Sequence, residues 1–155
     1  MNKAYLGKYV NTHGLKGEIR IKSNFPYKSK VFVVDNEIIV NDKTYVIKSY
    51  RVHKGYDMVT LDGINDINMI PFPKNTKVYI DRDKYLLKNE YLDSDLIGFI
   101  VYNSKLEREV CDIVYLNDTK KLIKTEAGYI PFELVKKVDL DNKRILIEEV
   151  DGLWK

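Results

Sequence analysis

Residues Glu18 to Lys22 read Glu-Ile-Arg-Ile-Lys, with Ile19 and Ile21 on one side and Glu18, Arg20 and Lys22 on the other. A period of two marks a strand with one buried face. Short segments that alternate in this way, or that are apolar throughout, fall at 4–10, 17–23, 31–34, 37–40, 44–52, 56–62 and 77–80. Turn formers separate them: Asp35-Asn36, Asn41-Asp42-Lys43 and Lys54-Gly55 stand where a hairpin needs residues that tolerate positive φ. Residues 65–70 could form a short helix, with Asn65 as its N-cap and with Pro71 and Pro73 as its stop. A charge-rich stretch without alternation follows at 81–92. Strands then resume at 97–102, 109–116, 121–125, 128–132 and 143–149. Turns between them are expected at Asn117-Asp118, Ala127-Gly128 and Asp141-Asn142, and one helical turn at Leu134 to Val138.

Regular short strands with turns every 8–12 residues predict a barrel or sandwich. Two strand clusters split by a polar stretch predict an all-β fold of two small β-barrel domains joined by a short linker, with one or two short helical turns. The expected boundaries are 1–82 for the first domain, 83–94 for the linker and 95–155 for the second domain. Composition agrees: 16 Ile, 15 Val and 12 Tyr stand against only 2 Ala, a balance no helical bundle would choose. Each domain would hold only about 70–80 residues, a size at which mutual packing adds stability.

Charge sharpens the division. The chain of 155 residues has a net charge of +3, but residues 1–84 hold 15 Lys+Arg and 9 Asp+Glu, whereas residues 85–155 hold 11 and 14. A basic half suits a phosphate backbone and an acidic half suits a basic protein partner. Ordinary surface charge is the alternative. No apolar run is long enough to span a bilayer, and Met1 to Val10 lacks the apolar core of a signal peptide, so a cytoplasmic location is expected.

Few residues could carry chemistry. His13 and His53 are the only histidines, and no Cys/His spacing of a metal site exists. The single cysteine, Cys111, lies among Val110, Ile113 and Val114 and reads as a buried thiol. Carboxylate pairs such as Asp93/Asp95, Asp139/Asp141 and Glu148/Glu149 read as solvated strand ends. There is no P-loop and no nucleophile elbow. Gly14-Leu-Lys-Gly17 is either a loop that clamps a phosphate with backbone N–H groups or a tight turn whose glycines meet a positive-φ demand. The expectation is a binding protein without catalytic residues, cofactor or metal, with exposed tyrosines among its contacts.

The run Asn11-Thr-His-Gly-Leu-Lys-Gly-Glu-Ile-Arg-Ile21 closely resembles the N-terminal signature GTHGLKGEVRV of the RimM family of bacterial ribosome maturation factors, with Asn11 in place of the first Gly. The resemblance continues through Tyr50-Arg-Val-His-Lys-Gly55, Asp62-Gly-Ile-Asn-Asp66 and Asn89-Glu-Tyr-Leu-Asp-Ser-Asp-Leu-Ile-Gly98. It ends with Tyr129-Ile-Pro-Phe132, Val138-Asp-Leu-Asp-Asn-Lys-Arg-Ile145 and Asp151-Gly-Leu153. It implies an N-terminal RimM domain followed by a PRC-barrel domain.

The resemblance further implies an assembly factor for the small ribosomal subunit, without enzymatic activity. Such a factor binds immature small subunits and their rRNA, contacts ribosomal protein S-nineteen, and supports head maturation and rRNA processing; it is expected to be a monomer. Carried over residue by residue, the resemblance makes His13, Gly14, Gly17 and Glu18 the signature loop; within the matched stretches, Lys16, Arg20 and Lys54 are candidate RNA contacts, because a guanidinium or ammonium near a phosphate is what the electrostatics require. Tyr91 matches the first of two adjacent family tyrosines that serve partner binding, and Leu92 stands where the second would be. Ser104-Lys-Leu-Glu-Arg108 replaces a Gly-rich turn of the family. The competing expectations are an RNA-modifying or RNA-cleaving enzyme, a PRC-barrel adaptor acting outside ribosome assembly, and an acidic module that takes basic peptides indiscriminately.

Overall fold

A computed structural model of the chain describes residues 2–117 and 119–150. Asp118 of the expected turn and Asp151-Gly-Leu153 of the resemblance lie outside the described residues. The fold is all-β. The chain separates into two compact units, the first ending at Leu87 and the second beginning at Lys88. Among the described residues no helix is long and apolar enough to cross a membrane.

The first unit contains β1 (Lys3–His13), β2 (Glu18–Lys22), α1 (Lys28–Val31), β3 (Glu37–Val40), β4 (Lys43–His53), β5 (Tyr56–Leu61), β6 (Lys77–Asp81) and α2 (Arg82–Tyr85). Its six strands close a barrel in the order β1-β2-β5-β4-β3-β6, every neighbouring pair antiparallel. Closure leaves no strand edge without a partner. The alternation seen in the sequence sets the inside: Ile19, Ile21, Ile38, Ile47, Leu61 and Ile80 are fully buried. Two hairpins turn on consecutive residues with positive φ, Asn41-Asp42 and Lys54-Gly55, as two-residue loops require.

Two expectations in this unit are corrected. Residues 31–34 do not form a strand. Lys28–Val31 is one helical turn, and Phe32 to Asp35 bend away from it. Val31 and Phe32 are buried, but Val33 and Val34 are exposed, so the apolar run closes one side of the barrel instead of pairing. The 3-10 turn Ile67–Met69 is capped by Asp66, whose side chain accepts from the Asn68 N–H at 2.7 Å, and not by Asn65.

The second unit contains β7 (Ile100–Tyr102), β8 (Glu107–Glu109), β9 (Asp112–Tyr115), β10 (Lys121–Thr125), β11 (Gly128–Pro131), β12 (Val135–Asp139) and β13 (Arg144–Ile147). They form a three-stranded sheet, β11-β10-β9, and a four-stranded sheet, β12-β13-β7-β8, in which β13 and β7 are parallel. Side chains from both sheets build one core, including Val101, Ile113, Ile123, Ile130, Ile145 and Ile147.

Three further readings change here. The expected strand 109–116 is two strands, because Val110 turns inward and its N–H bonds back to the Phe99 carbonyl at 2.8 Å. The expected helical turn at Leu134 to Val138 is β12, preceded by a 3-10 turn at Phe132–Leu134. Cys111 is exposed rather than buried: it follows the inward-facing Val110 at that break, where alternation turns its side chain outward.

Candidate functional site

In the first unit the signature residues shape the β1–β2 turn. Gly14 and Gly17 have φ of 72° and 83°, the left-handed region that favours glycine. The Leu15 carbonyl accepts from the Ile67 N–H at 3.0 Å, which ties the turn to the 3-10 segment. Lys16 is exposed at the turn. Lys54 is also exposed, in the β4–β5 turn. The antiparallel register of β2 on β5 sets these two turns at opposite ends of that ladder.

Between them lies a polar cluster that residue spacing did not disclose. His13 and His53 are 40 positions apart, yet their rings are 5.2 Å apart. Arg20 Nη2 is 3.2 Å from His13 Nδ1, and the Arg20 guanidinium lies over the Tyr56 ring at 5.2 Å. Its buried Nε has no hydrogen-bond partner among the described residues. Glu18 accepts two bonds from Arg51, from Nε at 2.9 Å and from Nη2 at 2.7 Å. Met58, paired on this face with both Arg20 and Arg51, is fully buried among them.

The charges tune one another. The hydrogen bond from Arg51 holds the Glu18 carboxyl below its usual range. Burial first, then the neighbouring Arg51, His13, Lys54 and Arg20, push His53 down and favour the neutral ring. Among the described residues no three His, Cys, Asp or Glu side chains stand as a metal-ligand set. The arrangement brings two guanidinium groups, two imidazole rings and one carboxylate together.

A pH test follows from Glu18. Its pKa is lowered on folding, so the ion pair stabilises the protein above the unfolded carboxyl pKa and is lost as pH falls through the lowered value. Glu18→Gln is therefore expected to lower Tm at pH 7, and the difference from the parent chain should shrink as pH falls through the lowered carboxyl value. A constant difference in scanning calorimetry across that range would refute the electrostatic account.

In the second unit Tyr91 is half-buried and packs against the apolar core. Leu92 is half-buried as well and begins the 3-10 turn Asp93–Leu96. Its N–H donates to Asp95 Oδ2 at 2.7 Å, and the Asp95 N–H donates back to the Leu92 carbonyl at 2.9 Å. This reciprocal cap fixes the path of residues 91–95. Asp93 then joins the turn to the three-stranded sheet: Lys121 Nζ lies 2.8 Å from its Oδ1, and the Tyr115 hydroxyl donates to its Oδ2. Burial and the Asp93 carboxylate push Tyr115 up to about 12. Lys121 Nζ also sits 4.0 Å over the Phe132 ring.

Tyr115 and Lys121 escaped the sequence reading, and Asp93, read there as a solvated strand end, is instead a half-buried acceptor in a 3-10 turn. Tyr115 could have been found as an aromatic residue closing an alternating strand. Nothing in the sequence pairs it with a carboxylate 22 positions away.

The chain has known relatives. The profile of the RimM N-terminal domain matches residues 5–85. A ribosome maturation factor RimM from Staphylococcus aureus strain bovine RF122 / ET3-1 is 39% identical over 162 residues, covering 96% of each chain. The protein of that name from S. aureus strain MRSA252 is 37% identical with the same coverage. The solution structure of the N-terminal domain of RimM from Thermus thermophilus is 19% identical, with a TM-score of 0.48, over 58% of this chain and 100% of that one. With relatives of this identity along nearly its whole length, the chain belongs to the RimM family of ribosome maturation factors.

Proposed function

We propose that this protein is an assembly factor of the small ribosomal subunit, acting by binding and not by turnover. In this reading the first unit is the RimM N-terminal barrel, residues 83–94 are the linker, and the second unit is a PRC barrel. The second unit holds ribosomal protein S-nineteen through Tyr91 and Leu92. The first unit lies on the rRNA of the immature head through Lys16, Lys54 and Arg20. The factor supports head maturation and rRNA processing in the cytoplasm, as a monomer. The observation that carries the reading is the 39% identity to a ribosome maturation factor over 96% of the chain. The charge division supports it: the basic half matches a polyanion and the acidic half matches a basic protein.

The test is binding of the full chain to purified S-nineteen and, in parallel, to immature and mature small subunits. Specific binding to S-nineteen and to immature subunits is expected. Both contacts should weaken as salt rises, because exposed charges are screened beyond a Debye length of about 10 Å at 0.1 M. Tyr91→Ala should weaken S-nineteen binding at least tenfold, as loss of a central aromatic contact does. Tyr91→Phe, which keeps the packing, should keep the fold. Co-sedimentation with mature and immature subunits alike, or with neither, would overturn the assembly reading. Displacement of S-nineteen by any unrelated basic protein would turn the second unit into an indiscriminate acidic module.

A further inference from the structure

The outer face of β6, β1 and β2 holds an arrangement that the sites above do not use. Lys8 is directly opposite Lys22 on one side and Lys77 on the other. The residues beside this row, Tyr9, Ile21 and Val78, are buried, so alternation turns the three lysines outward. Neighbouring strands are about 4.8 Å apart, so the three lysines leave the backbone within a strip only about 10 Å wide. Like charges directly opposite each other destabilise a sheet. Three other lysines of this barrel have acidic partners, in the pairs Lys3–Asp42, Lys28–Asp57 and Lys84–Glu37. Among the described residues no such partner, and no hydrogen bond, engages the side chains of Lys8, Lys22 or Lys77.

The same face carries aromatic side chains. Tyr5 and Tyr79 are paired across β1 and β6 and meet edge-on at 5.9 Å between ring centroids. Tyr5 is half exposed. Tyr79 is two residues from Lys77, so the tyrosines lie about 7 Å along the strand from the lysine row. Unpaired cations beside aromatic rings on the outer face of a barrel are what single-stranded nucleic acid needs: ammonium groups for phosphates and rings for unstacked bases. An acidic protein segment would use the charges but has no need of the rings.

We propose that the outer face of β6, β1 and β2 is a platform for single-stranded RNA, with Lys8, Lys22 and Lys77 on successive phosphates and Tyr5 and Tyr79 stacking on bases. This deepens the assembly reading and rests on its premise that the first barrel meets RNA. It moves the main RNA contact from the turns carrying Lys16 and Lys54 to a sheet face. The repulsion within the lysine row persists in the free protein and is relieved when phosphates bind.

The test uses the full chain and a fluorescent single-stranded oligoribonucleotide, over a salt series. Lys8→Gln, Lys22→Gln and Lys77→Gln together should weaken binding more than tenfold. They should also flatten the salt dependence by about 2 in logarithmic slope, since each phosphate contact on a single strand contributes about 0.7. The triple variant removes repulsion, so its Tm should not fall and a loss of binding is not a loss of fold. Tyr5→Ala should weaken binding severalfold without changing the slope. Unchanged affinity of the triple variant overturns the proposal. So does equal binding of the matching duplex, or competition by polyglutamate as effective as by RNA. The assembly reading is tested separately by S-nineteen and immature subunits: if the triple variant binds both as the parent does, the platform fails and the assembly reading stands.

Discussion

Replacing Gly7 by alanine is expected to destabilise the first barrel by about 3 kcal/mol or more, the upper range for forcing extra volume into a packed interior. Gly7 lies in β1 at a shift of register, where the strand passes between β2 and β6. A Cβ there would stand 2.5 Å from the Lys22 carbonyl oxygen, 3.0 Å from Ser23 Cβ and 3.1 Å from Ile21 Cγ2. The first of these is backbone in the paired strand and cannot swing aside. Next to it the Ser23 hydroxyl donates to the Leu6 carbonyl at 2.5 Å and accepts from the Phe25 N–H at 3.2 Å, so β2 has no slack to yield. Gly14→Ala is the control. Its Cβ would meet nothing within 4 Å, and only its φ of 72° opposes the change. That strain costs about 1 kcal/mol. Urea denaturation followed by circular dichroism would measure both. Equal midpoints for the two variants would show that the close approach of β1 and β2 is not what excludes a side chain at Gly7.

The second large effect is expected at Asp57. This carboxylate is only 2% exposed and lies on β5 under the segment that carries α1. The Tyr50 hydroxyl donates to its Oδ1 at 2.7 Å, and Lys28 Nζ stands 2.7 Å from its Oδ2. Phe32 stacks on Tyr50 with ring centroids 5.2 Å apart. Burial and the nearby carboxylate push Tyr50 up to about 12, so it stays a donor at any physiological pH. One acid thus fastens both ends of an irregular stretch: Lys28 at the start of α1 and, through Tyr50, Phe32 just beyond it. Asp57→Ala removes both links and leaves a hydroxyl and an ammonium facing an apolar surface. Breaking a buried pair costs about 3 to 5 kcal/mol, and the partly exposed Lys28 places this case near about 3. Asp57→Asn keeps the acceptor for Tyr50 and should cost less. The order parent, Asn, Ala in thermal midpoints is the expected result. If both variants melt with the parent, the segment from Lys28 to Phe32 is held by apolar packing alone.

These two sites differ from the RNA platform in kind. Gly7 and Asp57 are where contacts made at close range hold the barrel together. Lys8, Lys22 and Lys77 are where the fold keeps charges close without neutralising them. Gly7 and the lysine row depend on the same registers, because β1 is the strand that β2 and β6 share. A shift of one residue in β1 would turn the lysines inward and Tyr9 outward.

Strand content and the inside of the first barrel were legible in the order of side chains. Ile19 and Ile21 alternate with charged neighbours, and they are fully buried for that reason. Asn41-Asp42 and Lys54-Gly55 were legible as turns, because few residue pairs accept consecutive positive φ. The ordered motifs from Asn11 onward carried the family, which no periodicity could name. Local pattern failed where an apolar run serves packing instead of pairing: Val31 and Phe32 are β-formers that close the barrel from a helical turn. It failed again at Cys111, where the break between β8 and β9 keeps Val110 inside and turns the thiol outward. Which distant residues meet was set by the folded chain and not by any stretch of it. His13 reaches His53, Asp57 reaches Lys28, Asp93 reaches Tyr115, and Lys8 lies between Lys22 and Lys77. Alternation along a strand tells which side a residue faces, but cross-strand register tells what faces it, and register is a property of the paired sheet rather than of any segment.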